Sequence, residues 1–376
     1  FYYIEESSFC LSNNYQLISK SIDNKEIDPE TLAIKGLLNR EVLGMTILKK
    51  IKYSAPASKI ELKPHQRVVD CYWKPASLLE TEVPSYNIEY FKNLFEQNID
   101  NIQTSLHSHH ASITLTGGKD SRTALTALLS KGIKPSGLTY GNPETMDAVY
   151  AGKTAKYAGI EHFIVNPDKS FQWFESWSKK VIQLNNPLIN IHRAHRLYAI
   201  KKLQDKYGSN TTFFTGHMGG EFLIGVYYDN LIFRDFLNNY WINGSAEFHH
   251  IDSYLEKAFL RKEVVPKDSL KDKICALNSF DSRLDKKNLK FHSLFEIGVL
   301  HHSQDLQIAQ YLLDYPVPFF LDIEFLEALF KSRFSFFNQN PSTNNLLRRH
   351  QLYEFNLKLQ HMFYPGNDHS YFAKKG

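Results

Sequence analysis

The chain has 376 residues, of which 43% are apolar and 22% are charged, a composition typical of globular proteins and unlike that of a wholly disordered chain. The 44 basic and 40 acidic side chains leave a formal net charge of +4, an excess too small to indicate a nucleic-acid-binding protein. The apolar runs are shorter than the ~20 residues of a membrane-spanning helix, and the three cysteines lie far apart. We therefore expect a cytoplasmic protein whose partners include neither nucleic acid nor membrane.

The beginning of the chain has the pattern of short strands and turns. Residues 1–11 place two aromatic and aliphatic segments around a small polar turn, which predicts a β-hairpin. Residues 59–63 alternate polar and apolar side chains before a proline, as a half-buried strand does. Across residues 85–107 the apolar side chains recur at helical spacing, which predicts an amphipathic helix and the start of a new unit. We expect two domains, residues 1–84 and 85–376.

From about residue 110 the chain alternates between strand and helix patterns. Helices are predicted at residues 121–129 and 145–158, and the region after residue 221 has a mainly helical pattern. Such alternation predicts an α/β fold with a parallel sheet covered on both faces. The predicted strands of this sheet are residues 112–115, 137–140, 162–165 and 211–214.

The most informative segment is T-G-G-K-D-S, residues 116–121, which we call the glycine loop. It lies between a predicted strand and a predicted helix. Its two glycines allow successive backbone amides to converge, and the following helix directs its N-terminal amides to the same point. Two hydroxyls and Lys119 add donors, and Asp120 can hold Mg²⁺ against phosphate oxygens. The loop therefore predicts a phosphate site that is neither a Walker loop nor a dinucleotide fingerprint; a capped tight turn is the alternative.

The glycine loop resembles the S-G-G-x-D-S loop of the ATP pyrophosphatases, which split ATP into AMP and pyrophosphate. Further segments are similar to the asparagine synthetase family, so that the resemblance covers nearly the whole chain. It implies a parallel-sheet, nucleotide-binding ATP pyrophosphatase domain (adenine nucleotide α-hydrolase-like) with a helical C-terminal part. A short β remnant of a glutaminase-like domain would precede it. The similar segments are residues 51–73, 147–162, 215–222 and 315–322.

The resemblance implies roles for the matched residues. Leu115 and Tyr140, at neighbouring strand ends, would hold the nucleoside mostly through backbone atoms, and Thr215 and Gly216 would lie beside the ribose and the α-phosphate. Asp120 would hold Mg²⁺. The pyrophosphate would be bound by the glycine loop, that is by Thr116, Gly117, Gly118, Lys119, Asp120 and Ser121.

Three more residues receive roles in this way. Lys374 and Glu221 would be catalytic: Lys374 would stabilise the developing negative charge, and Glu221 would help Asp120 to hold the cation. Lys375 is the close alternative to Lys374, and the interpretation without a function is a frayed polar tail. Arg193 would grip a substrate carboxylate, unless it is an ordinary surface arginine.

The implied activity is that of an ATP-dependent amide-forming ligase. It would adenylate a carboxylate, aspartate or a related acid, release pyrophosphate and transfer an amine to give an amide. Its cofactors would be ATP and Mg²⁺, and its partners a small-molecule carboxylate and an amine or ammonia donor; a homodimer is left open. Amides, Mg²⁺ and a lysine suit this chemistry because negative charge builds up in both steps.

Two departures from the family pattern leave alternatives open. Gly220 stands where the family usually has a metal-binding aspartate. The chain is therefore either an active ligase, or a catalytically silent nucleotide-binding relative that acts as an assembly or sensing partner, or a specialised amidotransferase or cyclase of natural-product or polysaccharide biosynthesis. The chain also begins at Phe1 and not at a methionine, and residues 1–17 resemble the last strands of the family's glutaminase domain. Either that domain was removed from the sequence, which the missing methionine favours, or the ammonia comes from elsewhere.

Overall fold

The computed structural model describes residues 1–5, 8–38, 44–54, 57–63, 66–73, 86–103, 110–184, 186–224, 303–335 and 345–364. These residues group into two compact units. One is drawn from Phe1–Glu80 and Ile182–Asn190, and the other from Thr81–Val181, Ile191–Val226 and His302–Gly376. Among the residues described, no helix combines the length and the apolar character needed to cross a membrane.

The first unit contains two small antiparallel sheets. The predicted N-terminal hairpin is confirmed, because β1 pairs with β2 in antiparallel register, and β3 pairs with the other side of β1. The predicted strand near residue 60 is also confirmed, and it pairs with the strand that follows it. The strands are β1 (Tyr2–Glu5), β2 (Ser8–Leu11), β3 (Ile51–Lys52), β4 (Ser58–Lys63) and β5 (Gln66–Cys71).

Two helices in this unit contradict the prediction of strands and turns alone: α1 (Tyr15–Lys20) and α2 (Pro29–Leu38). Both begin at polar capping residues. The Asn14 side chain accepts hydrogen bonds from two amides of the first turn of α1, and Asp28 accepts one from the Thr31 amide at 3.0 Å. A proline at the first helical position, as in α2, is a further start signal. The prediction was wrong because these helices are short and their apolar patterns are correspondingly weak.

The second unit is built on a parallel sheet, which confirms the predicted α/β fold. In the described part of the chain this sheet has five strands: β6 (His110–Thr114), β7 (Ser136–Tyr140), β8 (His162–Val165), β9 (Thr211–Thr215) and β10 (Tyr315–Pro318). Their order is β10-β9-β6-β7-β8, and all neighbours are parallel. The chain therefore adds strands on one side of β6 and then reverses to the other side.

β10 differs from the prediction that the chain is mainly helical after residue 221. Pro316 and Pro318 lie within this strand, and a proline has no amide hydrogen to donate to a sheet. The strand is tolerated because it lies at one edge of the sheet as described, next to β9. Prolines in a four-residue strand remove the sequence pattern by which a strand is recognised.

Helices flank this sheet and form the C-terminal part, as predicted. The bounds of the labelled helices are α3 (Ile88–Gln103), α4 (Lys119–Ser130), α5 (Met146–Ala158), α6 (Phe171–Gln183), α7 (Ala194–Tyr207), α8 (Gly219–Ile224), α9 (Ile323–Phe330) and α10 (Asn345–Phe363). Residues 303–312 are also helical, and short 3₁₀ turns occupy Ile191–Arg193 and Phe319–Leu321.

An aromatic core fixes α10 against the rest of the second unit. Phe91 and Phe95 of α3 are fully buried and contact the rings of Phe355 and Phe363 of α10, with centroids 5.2 and 5.9 Å apart. Phe325 of α9 contacts both α3 rings as well. Edge-to-face aromatic pairs of this kind each add about 0.5–1.5 kcal/mol beyond the burial of their area. The core therefore places one face of α10 along α4, which carries the glycine loop at its beginning.

Candidate functional site

The candidate site lies between β6 and β9, where the order in which the chain adds strands to the sheet reverses. The glycine loop follows β6, and residues 216–218 follow β9, which is the next strand in the sheet. Open parallel sheets bind ligands at the carboxyl ends of the strands at such a reversal. The two loops meet there, because a Cβ atom on Gly216 would lie 2.6 Å from the Ser121 nitrogen and 2.7 Å from the carbonyl carbon of Asp120. The sheet thus brings together the two segments that the sequence singled out.

Internal hydrogen bonds give the glycine loop its shape. The Gly118 amide donates to Thr116 Oγ1 at 2.9 Å, and the Thr116 amide donates to Ser121 Oγ at 3.2 Å. The two hydroxyl oxygens are themselves 3.2 Å apart. Arg122 is fully buried, and its Nε donates to the Gly118 carbonyl at 3.1 Å. These side chains therefore brace the loop, a role that the sequence reasoning did not give to Arg122.

The beginning of α4 is suited to an anion. Its N-cap is Gly118, which is exposed and has no side chain with which to cap the first turn. By contrast, Thr145 caps α5 and Asp322 caps α9. The first amides of a helix have no acceptor within the helix, and the helix dipole places partial positive charge at this end. A phosphate group is therefore well matched to this end of α4.

The two glycines of the loop are required by space. Neither is among the residues with positive φ, so the glycines serve here to allow a close approach that a side chain would obstruct. A Cβ on Gly117 would lie 2.9 Å from Asp147 Oδ1 and 3.2 Å from Asp147 Cα, at the beginning of α5. A Cβ on Gly118 would lie 2.9 Å from Thr116 Oγ1.

Asp120 is held tightly on its protein side. Asn356 Nδ2 donates to Asp120 Oδ1 at 3.2 Å, and the Gly220 amide also donates to this carboxylate. Gly219 packs so closely that a Cβ there would lie 2.6 Å from Asp120 Cγ. Burial, together with the negative charge of Glu221, raises the pKa of Asp120 to about 7, although both hydrogen bonds act in the opposite direction.

This arrangement fits a divalent cation. Asp120 and Glu221 lie in the first turns of α4 and α8, and the repulsion between them is the kind that a bound cation relieves. Carboxylate oxygens are the protein ligands that Mg²⁺ prefers, with water and phosphate oxygens filling the rest of its shell. Within the described ranges, no group of three or more His, Cys, Asp or Glu side chains could hold a metal ion by itself. A cation here would accordingly rely on phosphate oxygens.

Asn356 and Gln360 form a pair of buried amides on α10 that sequence reasoning missed. Thr123 Oγ1 donates to Asn356 Oδ1 at 2.6 Å. Gln360 Nε2 donates to Thr123 Oγ1 at 2.9 Å and to the Lys119 carbonyl at 3.3 Å. Two polar residues spaced i and i+4 among buried phenylalanines and leucines are the signal that could have revealed them.

The predicted nucleoside and ribose residues have different surroundings. Leu115 is fully buried, its amide donates to the Leu138 carbonyl at 2.9 Å, and its carbonyl accepts from Thr139 Oγ1 at 2.6 Å. Thr215 is also fully buried, and its hydroxyl has no hydrogen-bond partner among the residues described. A buried polar group left unpaired costs about 1–3 kcal/mol, and a bound ligand often satisfies such a group.

A cluster of charged residues lies beside Tyr140. Asp305 is buried between Arg193 and Arg196, each with a nitrogen 3.3 Å from the carboxylate, and His217 Nε2 lies 3.4 Å away. The Arg196 guanidinium lies over the Tyr140 ring, 3.7 Å from its centroid. Burial acts to raise the pKa of Asp305, but the His217 hydrogen bond and the two guanidinium groups outweigh it and hold this pKa well below its usual range.

The structure thus gathers most of the predicted residues. The glycine loop, Gly216 and Glu221 meet at the sheet reversal. Arg193 is only 6% exposed and pairs with Asp305, so it is not the surface arginine of the alternative interpretation. Lys374 lies outside the described residues.

Comparisons with known proteins do not assign the chain to a family. No family model matches the chain, and no curated protein does. Among solved structures 32 chains match. One of them is NMN synthetase from Francisella tularensis, with a TM-score of 0.29 and 12% sequence identity, over 60% of this chain and 93% of that chain. A likeness of this size carries no information about substrate or activity.

Proposed function

We propose that the chain binds ATP and uses it to activate a carboxylate for amide formation, as the asparagine synthetase family does. The observation that carries the proposal is the position of the glycine loop, which lies where the strand order of the parallel sheet reverses. The loop leads into the uncapped beginning of α4, and Asp120 lies in the first turn of that helix. Helix amides suit the phosphate charge, and Asp120 with Glu221 suits a cation that accompanies it. When bound, Mg²⁺ would supply charge neutralisation on the phosphate oxygens.

The proposed reaction has two steps, and we assign residues of the site to them. In the first step a carboxylate oxygen attacks the α-phosphorus of ATP, the bond to the β-bridging oxygen breaks, and pyrophosphate leaves with the bonding electrons. The α4 amides and the loop backbone stabilise the pyrophosphate charge. In the second step an amine nitrogen attacks the acyl carbon, AMP leaves, and the nitrogen gives up a proton to water. Thr215 and Gly216 would face the ribose and the α-phosphate, which supplies a partner for the buried Thr215 hydroxyl.

For the acceptor we propose a small carboxylic acid, aspartate in the simplest case, bound on the side of the cluster around Asp305. Arg193 and Arg196 bring two guanidinium groups to that cluster, and Arg196 lies over Tyr140 at the end of β7. Guanidinium groups are the usual partners of carboxylates because their geometry allows paired hydrogen bonds. Ammonia or another amine would complete the reaction, and Lys374 would stabilise the negative charge that develops during it.

The proposal is tested by pyrophosphate release. Purified protein is incubated with ATP, Mg²⁺, ammonia and a panel of carboxylic acids, and both pyrophosphate and AMP are quantified. We expect equal amounts of the two products with at least one acid, and a loss of 100-fold or more in Asp120→Ala. Glu175→Ala, which changes an exposed carboxylate on α6, is the matched control and should leave the rate unchanged. Absence of ATP binding in calorimetry would refute the proposal.

A second candidate function is nucleotide binding without turnover, and Gly220 is the observation that favours it. At this position the chain supplies a backbone amide to Asp120 where the family usually has a second carboxylate. A silent relative would bind ATP in calorimetry and form no AMP with any acid of the panel. Gain of AMP formation in Gly220→Asp would support this function, and turnover by the unmodified chain would exclude it.

A further inference from the structure

We infer that Asn356 is a positioning residue for Asp120, and that α10 thereby controls how the site takes up a divalent cation. The inference rests on the proposed function. It starts from the contact between Asn356 Nδ2 and Asp120 Oδ1, which joins two residues 236 positions apart. Asn356 is fully buried, so its amide exchanges no hydrogen bonds with solvent and has a single arrangement set by its neighbours.

A directed chain of hydrogen bonds fixes the orientation of this amide. Gln360 Nε2 donates to Thr123 Oγ1, so the Thr123 hydroxyl is an acceptor on that side and donates its one proton elsewhere. Its shortest acceptor is Asn356 Oδ1, at 2.6 Å, against 3.1 Å for the Lys119 carbonyl. With its oxygen occupied in this way, the Asn356 amide presents its nitrogen to Asp120. Gln360, Thr123 and Asn356 are each at most 1% exposed, so water does not compete along the chain.

The chemical type of the donor matters as much as its direction. An amide restrains one carboxylate oxygen of Asp120 without neutralising its charge, whereas a lysine or arginine at position 356 would cancel the charge that a cation needs. The Gly220 amide restrains the same carboxylate. Gly219 leaves room for the Asp120 carboxylate only because it has no side chain. Asp120 is therefore held by neutral donors, in the manner of the outer partners that orient the ligands of metal sites.

Gln360 distinguishes positioning from simple helix packing. It lies one turn from Asn356 on α10, is equally buried, and donates hydrogen bonds to Thr123 and the Lys119 carbonyl of the same helix α4. If Asn356 only holds two helices together, removing either amide should have the same effects. If it positions Asp120, the two variants should differ in their response to Mg²⁺.

The experiment compares Asn356→Leu and Gln360→Met, both near-isosteric, in the full chain. ATP affinity is measured by calorimetry over a series of Mg²⁺ concentrations and in EDTA, and kcat and KM are measured where turnover is found. We expect Asn356→Leu to raise the half-saturating Mg²⁺ concentration by about tenfold while ATP binding in EDTA stays within twofold, because only the cation ligand is disturbed. Gln360→Met should change both quantities by less than twofold, because Asn356 Oδ1 remains the shortest acceptor of the Thr123 hydroxyl when Gln360 no longer donates to it, although thermal stability falls in both variants.

The outcomes separate the inference from the function on which it rests. Equal shifts in Mg²⁺ dependence for the two variants, or none in Asn356→Leu, would overturn the positioning role while leaving ATP use intact. Absence of ATP binding by the unmodified chain would overturn both. If Asn356→Leu does not fold, Thr123→Val replaces it, since this change removes the donor that orients Asn356 without touching Asp120. A shift of about threefold supports the inference, and an unchanged Mg²⁺ dependence contradicts it.

Discussion

Replacing Asp120 by asparagine is expected to stabilise the ligand-free protein at pH 8 and to leave its stability almost unchanged at pH 4. The pKa of Asp120 is about 7 in the folded protein against 3.8 for an ordinary aspartate, chiefly because of burial and then because of the Glu221 charge. The folded state therefore binds the proton more tightly than the unfolded state. Stability falls as the pH rises from about 4 to about 7, and it is constant with respect to this group outside that range.

The size of the effect follows from the two pKa values. A difference of about 3 units, at 1.36 kcal/mol per unit, is an upper bound of about 4 kcal/mol for the cost of ionising Asp120 in the folded protein. Asp120 is half-buried, so solvent screening reduces this figure, and a gain of roughly 2–3 kcal/mol at pH 8 is expected for Asp120→Asn. Asparagine resembles the protonated carboxyl group in shape and in having one donor and one acceptor side.

The assay is urea unfolding of both proteins at half-unit steps from pH 4 to pH 8. The difference in the free energy of unfolding should rise between pH 4 and pH 7 and then level off. Asp205→Asn, which changes an exposed carboxylate paired with Lys201 on α7, is the control and should show no such rise. If the difference in the free energy of unfolding did not depend on pH, or if Asp120→Asn were less stable than the unmodified protein at pH 8, the claim that the ionised Asp120 destabilises the ligand-free protein would be refuted.

Three more substitutions test other parts of the site. Gly216→Ala places a Cβ within 2.7 Å of the α4 backbone, so we expect loss of ATP binding in calorimetry and a lower melting temperature. Gly152→Ala, inside α5, is the control: its Cβ would make an ordinary contact with His162 at 3.8 Å, and the change should be neutral or stabilising by about 0.5–1 kcal/mol. Asp305→Asn removes the carboxylate that pairs with the buried Arg193 and the partly exposed Arg196, and it should cost about 3–5 kcal/mol in urea unfolding, against less than about 0.5 kcal/mol for the exposed Glu175→Gln. Arg196→Lys keeps the charge but loses the planar group stacked on the tyrosine of β7. We expect KM for ATP to rise about threefold to tenfold with kcat within twofold, and an unchanged KM would show that the stack has no role.

The parts of the fold that sequence could predict are those with strong local patterns. The strands observed at Ser136–Tyr140 and His162–Val165 lie within one residue of their predicted bounds, because each is a short segment between two helical patterns. The helices at Tyr15–Lys20 and Pro29–Leu38 were missed although each has a polar cap before it. The strand Tyr315–Pro318 was missed because it exists only through its pairing with a neighbouring strand.

In the candidate site, too, the residues that sequence could predict are those with a local pattern. The glycine loop could be predicted, since strand, loop and helix are consecutive in the chain. Its contact with Gly216 follows from the strand order, which local patterns do not contain. Asn356, Asp305 and Arg196 act through partners that are distant in the chain, and a buried polar residue is recognised only when its partners are known.

The hydrogen bond between Asp120 and Asn356 also has a consequence for how the protein is made. At translation rates of about 5–20 residues per second, a ribosome needs roughly 10 to 50 seconds to synthesise the 236 positions that separate the two residues. During that interval the nascent chain carries the glycine loop without the amide that restrains its carboxylate. A chain stalled shortly before position 356 should therefore contain β6 and the beginning of α4 and still respond poorly to Mg²⁺, so competence for the cation would arise only after position 356 has been synthesised.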